Sequence, residues 1–296
     1  MISFNKFYNK FSTISLILVL ISFLLLIFNG LNFGVDFKGG TLIELRSLDT
    51  KINVNTLRDS FSKMNLGNFT VKKFDNNEDF LIKFENKYNK DNIIDEIKIS
   101  LSKSFGDNFN FRRIENVGPK VSSELYKSSV IAIFVSFILM LIYIWIRFEW
   151  QFGLAAIVAL FHDVIIVLGL FSLLNLQIDL SIVAAILTII GYSINDTVVV
   201  FDRVRENLRK FSHYKIEELT NISINEILSR TINTSLTTLL VVLAIYFFGG
   251  DILKGFSLAM IFGIIIGTYS SIYVANAIIV KLNVSQKTLL REEDAK

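Results

Sequence analysis

The sequence predicts a polytopic α-helical membrane protein with six transmembrane helices and one α+β domain between helices 1 and 2. Hydrophobic residues make up 52% of the 296 residues, and the mean hydropathy of +0.52 exceeds what a soluble surface tolerates. Six apolar runs approach the roughly 20 residues that cross a bilayer. Between the first two runs lies a stretch of about 90 residues with the patterning of one small soluble domain.

The N-terminal segment predicts a retained first span. Residues 1–10 carry Lys6 and Lys10 and are assigned to the cytoplasm, and the apolar run 11–33 is assigned to transmembrane helix 1. That run is too long for the hydrophobic region of a cleaved signal peptide, and no small-residue cleavage site accompanies it. We therefore expect the chain to enter the membrane from the cytoplasm.

Residues 34–126 are predicted to form a ferredoxin-like domain. Strands are expected at 41–46, 69–74, 80–84 and 109–114, helices at 54–64 and 90–105, and a polar turn at 75–79. This βαββαβ order is the split βαβ arrangement. Pro119 is the one proline in the sequence, and we expect it to fix a turn leading back to the membrane.

Residues 127–281 are predicted to hold transmembrane helices 2–6. The apolar runs lie at about 128–146, 152–174, 180–201, 231–248 and 256–281. The connecting loop 202–230 carries six Lys and Arg residues, whereas 175–179 carries none and 249–255 one. The positive-inside rule therefore places loop 202–230, both termini and the tail 282–296 in the cytoplasm, and the soluble domain outside.

Asp196 is a carboxylate inside an otherwise apolar run that begins near Leu180. A lone charge there costs roughly 2.5–3.5 kcal/mol on insertion scales, so such acids usually face a bundle interior or a water-filled path. Arg230 opens the next apolar segment at a similar depth and is the predicted partner. One hypothesis is a site whose proton occupancy responds to the approach of Arg230. The alternative is a static ion pair that fixes helix packing.

Further polar residues interrupt the predicted spans. His162 and Asp163 lie halfway along the third span; they point about 100° apart, so we do not expect them to be each other's best partner. They are candidates for a proton relay or for buried polar contacts. Thr234, followed by Thr237 and Thr238, extends a polar stripe from Arg230. These hydroxyls either relay protons or bond backbone carbonyls and neighbouring helices.

Several glycines are candidates for structural roles. The word GVDFKGGT contributes Gly34, Asp36, Gly39 and Gly40 at the outer end of the first span. It lacks the GxxxxGK[ST] spacing of a phosphate-binding loop, so we interpret it as a junction between membrane and domain. Gly191 begins the word GYSIND around Asp196. Residues 263–267 form a GxxxG pattern, which predicts a close approach of helices in the last span.

The composition argues against several function classes. The sequence has no cysteine, which excludes disulfides, thiolate metal sites and cysteine nucleophiles. His162 and His213 lack metal-ligand spacing, and no nucleophile–base pair is evident, so we predict no enzyme, catalytic residue, metal site or cofactor. The formal net charge of +3 is too small and too dispersed to indicate a nucleic-acid partner.

Three sequence motifs, in this order along the chain, resemble those of a known family. They are GVDFKGGT at 34–41, VGP followed by VSSEL at 117–125, and GYSINDTVVVFDRVREN at 191–207. On these words the chain resembles the SecF family of protein-export membrane subunits, within the resistance-nodulation-division superfamily. Matching features run from the first apolar segment to about Val280.

The resemblance implies a multi-pass subunit of the bacterial inner membrane that uses the proton-motive force in late steps of protein export. It implies SecD, the SecYEG channel, YajC, the preprotein, protons and the lipid bilayer as partners. Asp196 and Arg230 look like the family's matching positions, which work with an aspartate of SecD. The alternatives are a lipid or drug exporter subunit of the same superfamily and a non-transporting assembly subunit. The sequence leaves H⁺ and Na⁺ open as coupling ions.

Overall fold

The fold is taken from a computed structural model that describes residues 2–48, 52–64, 69–74, 76–84, 93–106, 108–211, 213–286 and 288. The chain divides into two compact units. One unit is Met1–Asn32 together with Ile131–Lys296, and the other is Phe33–Val130. Each unit is described by itself below.

The elements alternate between long apolar helices and one short α+β segment. In chain order they are a 3₁₀ turn (Phe4–Phe7), α1 (Tyr8–Phe28), β1 (Asn32–Phe33), α2 (Val35–Lys38), β2 (Gly40–Ser47), α3 (Val54–Lys63), β3 (Phe69–Phe74), β4 (Asn76–Phe84), α4 (Ile93–Phe105), β5 (Phe109–Val117), α5 (Pro119–Arg147), α6 (Trp150–Leu173), β6 (Gln177–Ile178), α7 (Leu180–Lys210), α8 (Ile216–Phe248) and α9 (Asp251–Lys281). Among the described residues, six helices are long and apolar enough to span a membrane: α1 and α5 to α9. This confirms the six predicted spans.

Several helices extend beyond the apolar runs that predicted them. Helix α5 begins at Pro119 rather than near 128, and proline suits the first helical position because the N–H it lacks would have no partner there. The predicted turn at Pro119 is therefore the first turn of a helix. The stretch 202–230 is also largely helical, since α7 continues to Lys210 and α8 begins at Ile216.

Helices α6, α7 and α9 form the centre of the membrane unit. In their most apolar windows 56% of residues are buried, against 11% for α1, α5 and α8. The outer helices therefore expose apolar side chains, as helices in contact with lipid do. The central helices also carry polar side chains that are buried by protein, among them Asp163, Ser193, Asp196 and Ser270.

Glycines of α9 bring it close to α7. A Cβ added to Gly263 would lie 2.4 Å from the side chain of Ile189, and one added to Gly267 would lie 3.2 Å from Cβ of Ser193. Both distances are shorter than ordinary van der Waals contact. The GxxxG pattern in the last span thus allows the predicted close approach.

Replacing Gly263 by Ala is expected to destabilise the bundle by about 1–3 kcal/mol, because the added methyl overpacks the buried Ile189. Thermal unfolding in detergent measures this loss. The matched control is Gly191→Ala in α7, where nothing lies within 4 Å of an added Cβ. There the gain in helix propensity should leave stability unchanged or slightly higher. Equal loss in both variants would contradict the close-packing account.

The second unit contains a four-stranded antiparallel sheet. Its strand order is β3-β4-β2-β5. Buried side chains of α3 and α4, including Leu57 and Leu101, pack with Ile43 and Phe80 of the sheet. Asn53 caps α3 by accepting hydrogen bonds from two backbone N–H groups of its first turn. The predicted order of strands and helices is confirmed; the predicted start of the second helix at 90 and turn residue 75 lie outside the described residues.

Asp79 was predicted in a turn, but it lies in β4 and pairs with β2. Both of its carboxylate oxygens accept hydrogen bonds from Arg46, at 2.7 and 2.6 Å. Arg112 adds a longer ion pair at 3.7 Å. Asp79 is 1% exposed, and the hydrogen bonds from Arg46 hold the pKa of its carboxyl below the usual 3.8.

This lowered pKa predicts acid sensitivity of the sheet. A carboxyl with a lower pKa in the folded state stabilises the fold above its unfolded pKa of 3.8, and that contribution is lost as pH falls through the folded value. Hydrogen exchange of β2 and β4 in the full chain should therefore accelerate below about pH 3.8. Asp79→Asn should remove this acid-dependent part, whereas Asp59→Asn, on the exposed face of α3, should keep it. An identical pH profile in all three proteins would contradict the assignment.

The word GVDFKGGT forms a tight turn in the second unit. Gly34 precedes the single-turn helix α2, which holds Asp36 and was not predicted. Gly39 and Gly40 have φ angles of 73° and 135°, which side-chain-bearing residues rarely adopt. A Cβ on Gly39 would lie 3.3 Å from the carbonyl oxygen of Val117. The glycines therefore let β2 start close to the end of β5.

Candidate functional site

Two buried carboxylates of the membrane unit face the same short stretch of α9. Thr268, Tyr269, Ser270 and Ser271 are four consecutive hydroxyl-bearing residues in that helix. Asp163 of α6 contacts Ser270 and Asp196 of α7 contacts Thr268. The site thus lies where the three central helices and α8 meet.

Asp163 has three short hydrogen-bond contacts. Its Oδ2 accepts hydrogen bonds from Ser193 Oγ at 2.5 Å and Ser270 Oγ at 2.9 Å, and its Oδ1 lies 2.9 Å from His162 Nδ1. These partners come from α7, α9 and α6. Since Asp163 is 0% exposed, the three contacts replace the hydration that burial removes. The arrangement ties the central helices together.

His162 and Asp163 are partners, contrary to the sequence prediction. A separation of 100° around a helix did not prevent contact, because the imidazole and the carboxylate incline toward each other. With Nδ1 donating to the carboxylate, Nε2 of His162 is buried and has no hydrogen-bond partner among the described residues. Neither side chain is hydrogen-bonded to Asp196.

Asp196 is held far more loosely. Its Oδ2 lies 3.3 Å from Thr268 Oγ1 and 3.5 Å from Ser235 Oγ, at the outer limit of hydrogen bonding. Those two hydroxyls lie only 2.7 Å from each other. Asp196 is nevertheless 3% exposed. It is therefore a buried carboxylate with weak compensation.

Arg230 does not form the predicted ion pair. It is exposed on α8, it interacts with Asp196 only through space, and no ion pair joins it to any residue of the described part of the chain. Ser235, which does face Asp196, follows Arg230 by five residues and so lies about 140° around the helix. Arg230 and Asp196 can therefore lie at a similar depth in the membrane while the Arg230 side chain points away from Asp196.

The threonines after Arg230 bond the backbone of their own helix. Thr234 donates to the carbonyl oxygen of Arg230 at 3.0 Å, Thr237 to that of Asn233 at 2.8 Å and Thr238 to that of Thr234 at 2.9 Å. This is the backbone alternative considered from the sequence. The "α8 polar stripe", defined as Arg230, Asn233, Thr234 and Thr237, is exposed.

A network of charges holds the basic end of the bundle. Arg205 of α7 donates to Glu149 at 2.5 Å, and Glu149 is 1% exposed. Arg203 contacts Glu226 of α8 at 2.6 Å, and Asn207 donates to the same carboxylate. The motif FDRVREN thus supplies ion pairs between helices.

Sequence reasoning missed the hydroxyl partners of both carboxylates. These are Ser193, Ser235, Thr268 and Ser270. Isolated serines and threonines are common in membrane helices and usually bond their own backbone, so they carried little signal. The one usable signal was the unbroken polar run at 268–271 in an apolar span.

The fold and the site define a multi-pass helical membrane protein with carboxylates enclosed by its central helices, which is typical of subunits that move ions or solutes. Comparison with known families agrees with this class. The family model "Protein export membrane protein SecD/SecF, C-terminal" matches residues 97–285. The SecD/SecF GG motif matches residues 24–47, which include GVDFKGGT.

Close relatives identify the family more narrowly. The chain is 45% identical over 279 residues to the protein translocase subunit SecF of Rickettsia bellii, covering 93% of this chain and 91% of the relative. For SecF of Rickettsia prowazekii the identity is 44%, over 93% and 89% of the two chains. The chain belongs to the SecF family of protein translocase subunits.

A solved structure shows the same fold. The crystal structure of SecDF from Thermus thermophilus, described as a translocon-associated membrane protein, matches with a TM-score of 0.86 and 39% identity. The match covers 95% of this chain and 38% of the SecDF chain. SecDF in its super-membrane-facing form matches with a TM-score of 0.70 and 38% identity, over 99% and 40% of the two chains. The present chain thus spans well under half of SecDF.

Proposed function

We propose that this chain works in the bacterial inner membrane with SecD and the SecYEG channel, and uses the proton-motive force to drive late steps of protein export. The observation that carries the proposal is the state of Asp196. It is a carboxylate within the membrane-spanning bundle, buried by protein and held only by two long contacts to hydroxyls.

The contrast between the two acids supports separate roles. An ionised carboxylate offers about four acceptor sites, and Asp163 fills three of them with short contacts. Asp196 has only two long contacts to its acceptor sites. Protonation of Asp196 therefore removes a negative charge that its surroundings stabilise only weakly. Ser235 and Thr268 can each donate or accept, which lets them serve both protonation states. Asp163 is accordingly the structural acid and Asp196 the site that binds and releases a proton.

Arg230 and Thr234 enter the proposal through movement of α8. In this structure the face of α8 that carries Ser235 meets Asp196, and Arg230 faces about 140° away. A rotation of α8 that brought the guanidinium toward Asp196 would favour the ionised acid and release its proton. Thr234 lies on the same face as Arg230, one helical turn later, and would follow it toward the site.

The α8 polar stripe supports SecD as the partner on this side. Lipid chains cannot hydrogen-bond a guanidinium or an amide, so such groups in membrane helices normally face protein or water. The SecDF chain is more than twice as long as the part matched here. A partner helix that supplies polar groups to the stripe would complete the site.

A single cysteine in the stripe is expected to cross-link to SecD. Because the chain has no native cysteine, Thr237→Cys provides one unique thiol on an exposed position. Oxidative cross-linking to cysteines scanned along SecD should give one strong pair, since the stripe buries against the partner. Phe134→Cys, exposed on the outer helix α5, is the matched control. Equal yields at the two positions would argue against this interface.

The α+β unit is proposed to be a ferredoxin-like domain in the periplasm. Its sheet order is the one expected for a βαββαβ chain, and the six cationic residues of 202–230 support a cytoplasmic position for that segment by the positive-inside rule. The proposed extents are 34–126 for this domain, 127–281 for helices 2–6 and 282–296 for the tail, of which 289–296 lie outside the described residues. The preprotein and YajC are proposed as further partners.

Export by inverted membrane vesicles tests the proposed function. Vesicles that contain SecYEG, SecD and this chain should complete translocation of an arrested preprotein when a proton gradient is imposed. The same vesicles with the gradient collapsed by an ionophore, and vesicles without the chain, should stop at the intermediate. If completion is the same in all three, the chain has no gradient-dependent transport role and serves assembly only. Repeating the assay with a Na⁺ gradient identifies the coupling ion.

A further inference from the structure

A groove on the side of the bundle away from α8 is not used by the proposed transport site. It has a volume of about 350 Å³ and is lined by α1, α6 and α9, within the size range of ligand sites. Most of its wall is hydrocarbon. Leu16, Val19, Phe161 and Val274 are among the apolar lining residues, and Lys281 lies at one end.

Helices α1 and α6 are in close contact toward the C-terminal end of α1. A Cβ added to Gly169 of α6 would lie 2.4 Å from the side chain of Ser22, and Ser172 Oγ donates to the carbonyl oxygens of Leu25 and Gly30 at 3.0 and 2.7 Å. The groove lies further toward the N-terminus of α1, where Ser12, Leu16 and Val19 line it. The groove therefore lies beside the N-terminal half of α1, away from this close contact.

The gap opens sideways toward the membrane. Leu16 and Phe161, on its two walls, are 60% and 52% exposed, and a space of this kind within a bilayer is filled by hydrocarbon. The α1 wall runs from Ser12 to Val19, about 10 Å of helix rise. That depth fits within the roughly 15 Å of hydrocarbon in one leaflet. A lipid acyl chain has the chemistry and the length for this space.

The positive charge of Lys281 at the end of the groove favours a lipid with an anionic headgroup. Lys281 ends α9, is exposed, and forms no ion pair with any residue in the described ranges. Lys10 lies at the same end of α1, but about 160° around the helix from the lining residue Ser12, so the charge at the groove itself is that of Lys281. A basic side chain at the mouth of a cleft between membrane helices suits an anionic headgroup. We propose that this groove binds one anionic glycerophospholipid, with an acyl chain between α1, α6 and α9 and its phosphate at Lys281.

His162 is the polar residue deep in the groove. It is 5% exposed and its Nε2 has no described partner, whereas the neighbouring Ser15 hydroxyl lies 2.8 Å from the hydroxyl of Tyr269. An acyl chain offers Nε2 no hydrogen bond. The proposal therefore assigns recognition to Lys281 and the apolar walls, and none to the imidazole. Binding of a polar amphiphile through His162 would instead be lost on substitution of His162 and kept on substitution of Lys281.

Native mass spectrometry of the full chain, titrated with phosphatidylglycerol or phosphatidylcholine, tests the proposal. We expect one preferred phosphatidylglycerol per chain. Lys281→Gln should weaken its binding about fivefold, the worth of one lysine near a headgroup, and remove the preference over phosphatidylcholine. Lys254→Gln, at the opposite end of α9, changes the net charge equally and should bind as the native chain does. Val158 lies at the exposed rim of the groove. The larger side chain of Val158→Trp should therefore block entry of the acyl chain without altering the buried core.

The outcomes separate the proposal from its rivals. Normal phosphatidylglycerol binding by both Lys281→Gln and Val158→Trp would overturn it, as would equal affinity for the two lipids in the native chain. His162→Leu also removes the Nδ1 contact to Asp163; with its helices intact it should retain binding, because the proposal assigns no recognition to the imidazole. Loss of binding in His162→Leu alone would instead identify a polar amphiphile as the ligand. Circular dichroism of each variant verifies that the helices are intact before binding is compared.

Discussion

Asp196→Asn is expected to reduce gradient-dependent export to the level of vesicles that lack the chain. Asparagine has nearly the same size and can still accept from Ser235 and Thr268, so the helices should assemble normally. It cannot gain or lose a proton, and a buried position with only two long contacts gives no other route for proton exchange. Export with the gradient imposed, at matched amounts of chain and SecD, measures the effect.

The control for Asp196→Asn is the same chemical change at Asp59, an exposed position of α3. That variant should export as the native chain does. Ser235→Ala and Thr268→Val each remove one of the two hydroxyls at Asp196 and should give partial loss. Native export by Asp196→Asn, with the complex assembled, would reduce Asp196 to a packing residue.

Asp163→Ala is expected to destabilise the bundle by about 3–5 kcal/mol. It leaves the Ser193 hydroxyl and the His162 Nδ1–H without their acceptor, in a site with 0% exposure. Ser270 loses one of its two acceptors and keeps the carbonyl oxygen of Gly267. Thermal unfolding of the full chain in detergent reports the loss. Reduced recovery of the complex with SecD should accompany it.

Two further variants separate the structural acid from the transport acid. Asp163→Asn keeps an acceptor oxygen and should recover much of the stability, because a serine hydroxyl can also accept from the new amide. Asp196→Ala removes only two long contacts and should cost much less stability than Asp163→Ala. If the two alanine variants unfold at the same temperature, the distinction between the acids is wrong.

Hydropathy and periodicity predicted the six spans and the order of the sheet elements, because those features follow from which residues avoid water. The same logic found Asp196, a charge in an apolar run. It could not find Ser235 or Thr268, since a hydroxyl in a membrane helix is equally compatible with bonding its own backbone. Thr237 takes that second option.

The predicted Asp196–Arg230 ion pair was based on the depth of the two residues in the membrane and took no account of their directions around their helices. Counting residues from the membrane edge gives a position along a helix, but the contact depends equally on direction around it. Ser235 and Arg230 differ by about 140° in that direction, and packing against α7 and α9 selects Ser235. The His162–Asp163 pair shows the converse, because side-chain geometry closed a separation that backbone direction alone had made unfavourable.

Proton movement through Asp196 is the central claim, and the most direct test is proton flux in proteoliposomes that contain this chain with SecD. An imposed gradient should drive flux through the native complex. The account predicts that Asp196→Asn abolishes this flux and that assembled Asp163→Asn retains it. Flux that is unaffected by Asp196→Asn, or lost only in Asp163→Asn, would contradict the account.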